Sequence, residues 1–332
     1  ISAGRARVDN YLLFSDLHVS PSTLPQCLSC LSHLSAVAST RPSTAILFLG
    51  DFYHTRGSLD VRCLNAVFPV MKKIAEANQV IMIPGNHDIV DLHTRQTSLD
   101  IFSTLPNCTV VKNPSKLHNA GLIPYLRSGI SAPLASLACD PSVDTMFIHD
   151  SVVGGLLSGS ARSASGIHPG AWGGWGGKVW AGHFHRPQDG VGGGRVAYVG
   201  SPYQVTAGEA GERKRFVWLD GGFKYDGEVE LPRFGREYHE GMGGVGRAVE
   251  GDVVKVTVEE GGEGGEDIQE AREICEDSGA AEAEAGPIFG GEVEEEALRV
   301  VANVEGGGDT QARGKLEFGE VEIEGFASFK GR

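Results

Sequence analysis

The chain has 332 residues, long enough for one large domain and a second smaller one. Its hydrophobic content is 41%, and no run approaches the roughly 18 apolar residues that cross a bilayer, so no membrane-spanning helix and no signal peptide are expected. The expectation is an intracellular protein whose compartment (nucleus, cytoplasm or organelle) stays open. The net charge of -14 is unevenly placed: residues 1–225 carry 19 Lys and Arg against 15 Asp and Glu, a net +4, while residues 226–332 carry 10 against 28, a net -18. An acidic surface repels phosphate backbones, which argues against the C-terminal part as a nucleic-acid platform.

In chain order, short apolar runs predict strands at 11–14, 45–49, 80–83, 109–111, 145–148, 178–181, 195–199 and 216–219, with helices at about 23–38, 58–77 and 93–104. Continuous apolar strands are expected where both faces of a sheet are covered, which makes the first part layered α/β. Cys27 and Cys30 form a CxxC inside LPQCLSCLSHLSAVA, an amphipathic helix pattern. No second pair accompanies them, so packing is expected rather than metal or redox chemistry. Residues 154–177, rich in Gly and Ser, read as a long surface loop, and the sequence leaves open whether Trp172 and Trp175 in it are anchors or contacts. After about residue 235 the composition shifts to Gly, Glu and Ala, with a β-α-β unit expected at 252–258, 266–278 and 298–304.

The polar residues fall at the ends of these strands. Residues 11–14 run into Ser15-Asp16-Leu17-His18, residues 45–49 into Gly50-Asp51-Phe52-Tyr53-His54, and residues 80–83 into Gly85-Asn86-His87-Asp88. Further on, His149 ends one strand and Gly182-His183-Phe184-His185 another. Five strands thus deliver Asp, Asn or His at the C-terminal end, where open α/β sheets build their sites. In Asp16-x-His18 and His183-x-His185, residues two apart on extended chain point to one side, so each pair can face one centre. Asp51 on its turn is suited to bridge two ions, and oxygen and imidazole donors without thiolate favour manganese, iron or zinc.

At these residues the chain resembles the calcineurin-like metallophosphoesterase superfamily, whose pattern is DxH, GDxx, GNHD or GNHE, H, and GHxH. Within it, GDFYHTRGSLD, LIPY (residues 122–125) and YVGSPYQVTAGEAGERKRF (residues 198–216) resemble the SbcD-type DNA repair nucleases and phage recombination endonuclease subunits. The resemblance spans about residues 9–220. It implies an α/β fold, a two-sheet β-sandwich flanked by helices over residues 1–232, with residues 233–332 a small acidic α+β capping-like domain. It also implies two divalent metal ions, manganese expected and iron or zinc the alternatives. By matching position, one ion takes Asp16, His18, Asp51 and His185, and the other Asp51, Asn86, His149 and His183.

The implied activity is phosphodiester hydrolysis by a metal-activated water, in a DNA exo/endonuclease subunit of double-strand break repair or recombination. His87, beside Asn86 but not assigned to a metal, is the expected general acid. Asp88 is expected to orient His87 and raise its pKa, and His54 to assist at the phosphate. Arg213, Lys214 and Arg215, the densest basic cluster, are candidates for phosphate contact. The resemblance further implies an SMC-like ATPase partner and a homodimer. A phosphomonoesterase, cyclic-nucleotide phosphodiesterase or protein phosphatase of the same superfamily is the competing enzyme reading. A scaffold that has lost its metals is the non-enzymatic one.

Overall fold

The computed structural model describes residues 7–91, 94–127, 129–157 and 161–235, and beyond them the strands Tyr238–Glu240, Val253–Val258, Ala283–Ile288 and Glu295–Val301. Fourteen strands precede residue 235. They are β1 (Asn10–Phe14), β2 (Thr44–Phe48), β3 (Gln79–Met82), β4 (Ile89–Asp91), β5 (Gln96–Thr97), β6 (Cys108–Val110) and β7 (Ser115–Leu117), then β8 (Ala120–Ile123), β9 (Thr145–His149), β10 (Lys178–Gly182), β11 (Gln188–Gly190), β12 (Val196–Tyr198), β13 (Arg215–Asp220) and β14 (Tyr225–Glu230). They form two six-stranded sheets, in the orders β14-β13-β1-β2-β3-β6 and β11-β12-β10-β9-β8-β7, and a small β4-β5 hairpin.

The period-2 alternation of each strand decides the layering. Leu12 and Phe14 of β1, with Ile46 and Phe48 of β2, face a core completed by helices α1 (Leu24–Ala38) and α2 (Val61–Ala77). The alternate residues Tyr11, Leu13, Ala45 and Leu47 face a second core between the sheets, where they meet Phe147 and Trp180. On the far side of the second sheet, Met146, Ile148, Val179 and Ala181 pack with Leu134 of α3 (Ser131–Ala138) and with Trp172. The result is a helix, sheet, sheet, helix sandwich with three apolar layers. Each fully buried Leu, Ile or Phe contributes roughly 1.5–3 kcal/mol relative to exposure. Cys27 and Cys30 are buried on the inner face of α1 as free thiols, which is the packing role expected of them.

Register places the site. β1, β2, β3 and β6 run parallel, with Phe14 opposite Phe48 and Phe48 opposite Met82, so three strands end at one level. In the other sheet β9 and β10 are parallel, with Gly182 opposite His149. A hydrogen bond from His149 Nδ1 to the Leu49 carbonyl, 2.6 Å, ties the two sets of strand ends together.

Some expectations need correction. The helix expected at 93–104 is instead the β4-β5 hairpin followed by a tight 3-10 turn, Ser98–Thr104; Leu99 and Phe102, three apart, bury one face of that turn, and the Ser98 amide is anchored on the Asp88 carbonyl at 2.8 Å. The loop at 154–177 carries a built-in anchor: Trp172 is 1% exposed, and the Trp175 indole donates to the Val143 carbonyl at 2.7 Å. In the C-terminal part, the expected helix at 266–278 lies outside the described residues. Its two flanking strands pair directly and antiparallel, Val253 opposite Val301, and Ala283–Ile288 adds a further strand beside the second. Among the described residues, no helix is long and apolar enough to cross a membrane.

Candidate metal centre

The turns that leave the strand ends hold unusual backbone. Asp16 (φ 54°), His18 (φ 49°), Asp51 (φ 60°) and His183 (φ 104°) are four of the nine non-glycine residues with positive φ among those described. Each such residue costs of order 1–3 kcal/mol and persists only where its surroundings over-determine it. Here the Asp16 amide donates to the Gly50 carbonyl (2.9 Å), the His18 amide to the Asp51 carbonyl (3.1 Å), and the His183 amide to Asp16 Oδ1 (3.0 Å). Glycine permits the closest approaches: a Cβ on Gly50, itself at φ 100°, would sit 2.3 Å from His149 Nδ1, and one on Gly85 would sit 2.2 Å from Asp51 Oδ1.

Seven side chains converge. Asp16, His18 and His185 form one group and Asp51, His149 and His183 another, each with its ligand atoms within 4.8 Å of one another. Asp51 Oδ2 lies between them, 3.9 Å from His18 Nε2 and 3.3 Å from His149 Nε2. Asn86 Oδ1 joins the second group, 3.1 Å from His149 Nε2 and 3.0 Å from His183 Nδ1. Five of the seven are buried, and His183 and His185 are half-buried.

The protonation pattern shows what fits between them. Because the Leu49 carbonyl can only accept, His149 Nδ1 carries a proton toward it, and Nε2 is the end turned to Asn86 Oδ1 and Asp51 Oδ2. His185 is fixed likewise: its Nδ1 is 2.8 Å from Glu209 Oε1, and its Nε2 faces His18 Nε2 at 2.9 Å. Acceptors pointing at acceptors require a proton or a cation between them. Although burial alone would depress it, the charge of Asp51 draws a proton onto His149 and lifts its pKa to about 10, while burial and then His149 press His183 to about 4. Buried carboxylates surrounded by imidazole lone pairs suit divalent cations of intermediate softness, so the residues present fit a metal centre.

Comparison with known proteins agrees with this chemistry. Residues 10–144 match the family model described as calcineurin-like phosphoesterase. Over this stretch the chain is similar to calcineurin-like phosphoesterases. It is accordingly a hydrolase of phosphoester bonds with metal-binding residues. The matched stretch holds Asp16, His18, Asp51 and Asn86, while His149, His183 and His185 come from beyond it. The nuclease MPE of Pseudomonas putida is a distant structural neighbour, 18% identical, covering 68% of this chain and 74% of its own, with a TM-score of 0.30; a likeness so faint decides nothing about substrate. No curated protein matches the sequence.

Around this centre, two expected roles change hands. Asp88 does not face the His87 ring. Its carboxylate is fully buried and accepts from the amides of Asp51 (2.8 Å), Phe52 (2.9 Å) and Gly85 (2.9 Å), so it clamps the two ligand loops to each other. Burial, then the charge of Asp51, raises its pKa to about 7. The group that orients His87 is the His54 carbonyl, 2.5 Å from His87 Nδ1; the amide of His87 in turn donates to Asp51 Oδ1 at 2.8 Å. The His54 ring lies exposed at the rim, stacked 5.7 Å from that of His87 and edge-on to that of His18 at 5.5 Å. Burial, then His87, lowers the pKa of His54.

The basic cluster is also reassigned. Lys214 is buried, with Nζ donating to Glu209 Oε2 (2.6 Å), Ser201 Oγ (3.1 Å) and the His185 carbonyl (3.0 Å). Arg215 is paired with Asp189 (3.0 Å) and Glu228 (2.8 Å). Neither is free to meet a phosphate, and of the three only Arg213 is strongly exposed, 3.8 Å from Glu230. A buried lysine needs a carboxylate, and here that carboxylate holds a candidate ligand histidine. Sequence reasoning missed Glu209 as a site residue. The signal was available in the pairing of a glutamate with a basic cluster inside the segment that follows GHxH.

Proposed function

We propose that the protein is a divalent-metal-dependent phosphodiesterase acting on DNA, with Asp16, His18, Asp51 and His185 holding one ion and Asp51, Asn86, His149 and His183 the other. The observation that carries this reading is the place of Asp51 Oδ2 between the two imidazole groups, at 3.9 and 3.3 Å. Manganese is the metal assigned, with iron or zinc as the alternatives the same donors accept. When bound, such a pair of ions activates water and offsets the negative charge that makes a phosphodiester a poor electrophile.

The protein's own contribution is proton management and positioning. Hydrolysis adds water across a P–O bond, and the departing sugar oxygen needs a proton. His87 is the side chain for that step. Its Nδ1–H is anchored on the His54 carbonyl, so Nε2 is the end that can carry a proton to the leaving oxygen. Asp88 and Glu209 touch neither substrate nor leaving group; they position the loop amides and His185. Support for DNA as the substrate comes from GDFYHTRGSLD and the segment 198–216, with their likeness to SbcD-type nucleases. A capping role for residues 233–332, an SMC-like ATPase partner and a homodimer belong to the same proposal and rest on that likeness.

The test is manganese-dependent degradation of end-labelled linear duplex and single-stranded DNA, wild type beside His87→Ala, with bound metal measured on both. Cleavage lost in the variant at unchanged metal content supports the reading. Equal cleavage, or metal lost together with activity, removes His87 from its role. A metal-loaded wild type that hydrolyses small phosphomonoesters and leaves DNA intact overturns the substrate.

A further inference from the structure

Beside the metal centre runs a groove of about 540 Å³ whose walls include Pro84, Ile89, Arg95, Lys112, Tyr125 and Arg127. Pro84 stands two residues before Asn86, and Ile89 two residues after His87, so the groove begins where the ligand loop ends. Both other walls are bolted to that loop. The Tyr125 amide donates to the Pro84 carbonyl at 2.9 Å, and the Ser98 amide at the foot of the β4-β5 hairpin donates to the Asp88 carbonyl at 2.8 Å. The groove therefore keeps a fixed relation to His87 and the centre.

Its charge differs from that of the chain. Arg95 and Arg127 are exposed and make no ion pair or hydrogen bond among the described residues. Lys112 contributes a third cation, engaged with Asp100 at 3.1 Å, and Asp91, which accepts from the Thr94 hydroxyl at 2.8 Å, is the single carboxylate in the lining. The groove thus presents two guanidinium groups unpaired among the described residues, and their charge suits an anionic ligand. The planar forks of Arg95 and Arg127 match phosphate oxygens in shape and charge.

We propose that this groove binds the sugar-phosphate backbone of the polynucleotide strand flanking the scissile phosphate, with Arg95 and Arg127 as its phosphate contacts. The proposal rests on the nuclease reading given above and adds to it the direction in which the strand leaves the centre. It also supplies the cationic surface that Lys214 and Arg215, tied into ion pairs, do not provide.

The experiment compares the wild-type full chain with an Arg95→Glu/Arg127→Glu double variant. Duplex DNA binding is read by fluorescence anisotropy at several salt concentrations, which needs no turnover, and KM is read with manganese on an oligonucleotide and on bis(p-nitrophenyl) phosphate. Two lost phosphate contacts reduce the magnitude of the log affinity against log salt slope by about 2. The KM for the oligonucleotide is expected to rise at least tenfold more than that for the small diester. Equal DNA affinity and salt slope in the two proteins overturns the groove and leaves the nuclease reading standing. A parallel loss on both substrates overturns it too, because the two arginines would then be acting on the centre or the fold. A wild type that neither binds nor cleaves DNA overturns both readings at once.

Discussion

Glu209 Oε1 lies 2.8 Å from His185 Nδ1, and the same carboxylate's other oxygen lies 2.6 Å from Lys214 Nζ. One buried acid therefore sets the tautomer of a candidate ligand histidine and neutralises a buried lysine. A carboxylate behind a ligand imidazole typically accounts for a 10- to 100-fold difference in metal affinity. Glu209→Gln is expected to weaken manganese binding by about that factor, measured by calorimetric titration, with the fold retained by circular dichroism. Unchanged affinity would remove Glu209 from the centre.

Asp88 and His87 are neighbours in sequence with separable tasks. Asp88→Ala leaves the amides of Asp51, Phe52 and Gly85 without their acceptor, and at roughly 1–3 kcal/mol per buried unsatisfied group the loss of stability should be about 3 kcal/mol or more. Bound metal is expected to fall with it. His87→Ala should keep both metal and melting temperature. If Asp88→Ala instead matched His87→Ala in stability and metal content, the clamping role would be wrong.

Within the basic cluster, adjacent residues should respond in opposite ways. Removing Lys214 strands the buried Glu209 carboxylate, a change that typically costs about 3–5 kcal/mol. Arg213→Ala, at an exposed position, should stay within about 0.5 kcal/mol. Urea denaturation of the two variants measures the contrast.

Acid should attack the same network. Burial alone would raise the pKa of Glu209, but His185 and Lys214 hold it well below the usual carboxylate range. A depressed folded pKa gives stability that is fully present above the unfolded value of about 4.3 and is lost as pH falls from there toward the folded pKa. Unfolding free energy measured across that acid limb should fall less steeply in Glu209→Gln than in the wild type. Parallel curves would contradict the assignment.

Gly85→Ala tests the close approach of the loops. Its Cβ would lie 2.2 Å from Asp51 Oδ1 and 2.7 Å from His149 Cε1, closer than van der Waals contact allows. Metal content is expected to drop below two ions per chain, measured by emission spectrometry after purification with manganese. Full occupancy would show that the loops can spread.

The residue chemistry of the centre was legible because it is written locally. An apolar run followed at once by Asp-x-His, Gly-Asp, Gly-Asn-His-Asp or Gly-His-x-His carries its own strand end and its own donor, and each of the eight strands predicted before residue 220 is observed within about one residue of its run. β8, Ala120–Ile123, was not legible: Gly121 weakens the strand pattern, and it lies where a Cβ would sit 2.9 Å from Leu137 Cδ1 of α3. The hairpin at 89–97 likewise depends on contacts that no local period announces.

What the sequence by itself determined was the eight apolar strands, their place in a layered α/β part, and the type and order of the metal-capable side chains. What only the tertiary structure decided was the partner of each polar group. Asp88 follows His87 in the chain, but the direction of its side chain, set by the turn, sends it to the amides of Asp51, Phe52 and Gly85; Lys214 sits between two arginines, but the inward face of the chain at that point sends it to Glu209 and the back of His185. Hydrogen bonds and ion pairs act over about 3 Å in space and are indifferent to separation along the chain, so they are fixed only when the sheets bring distant loops together.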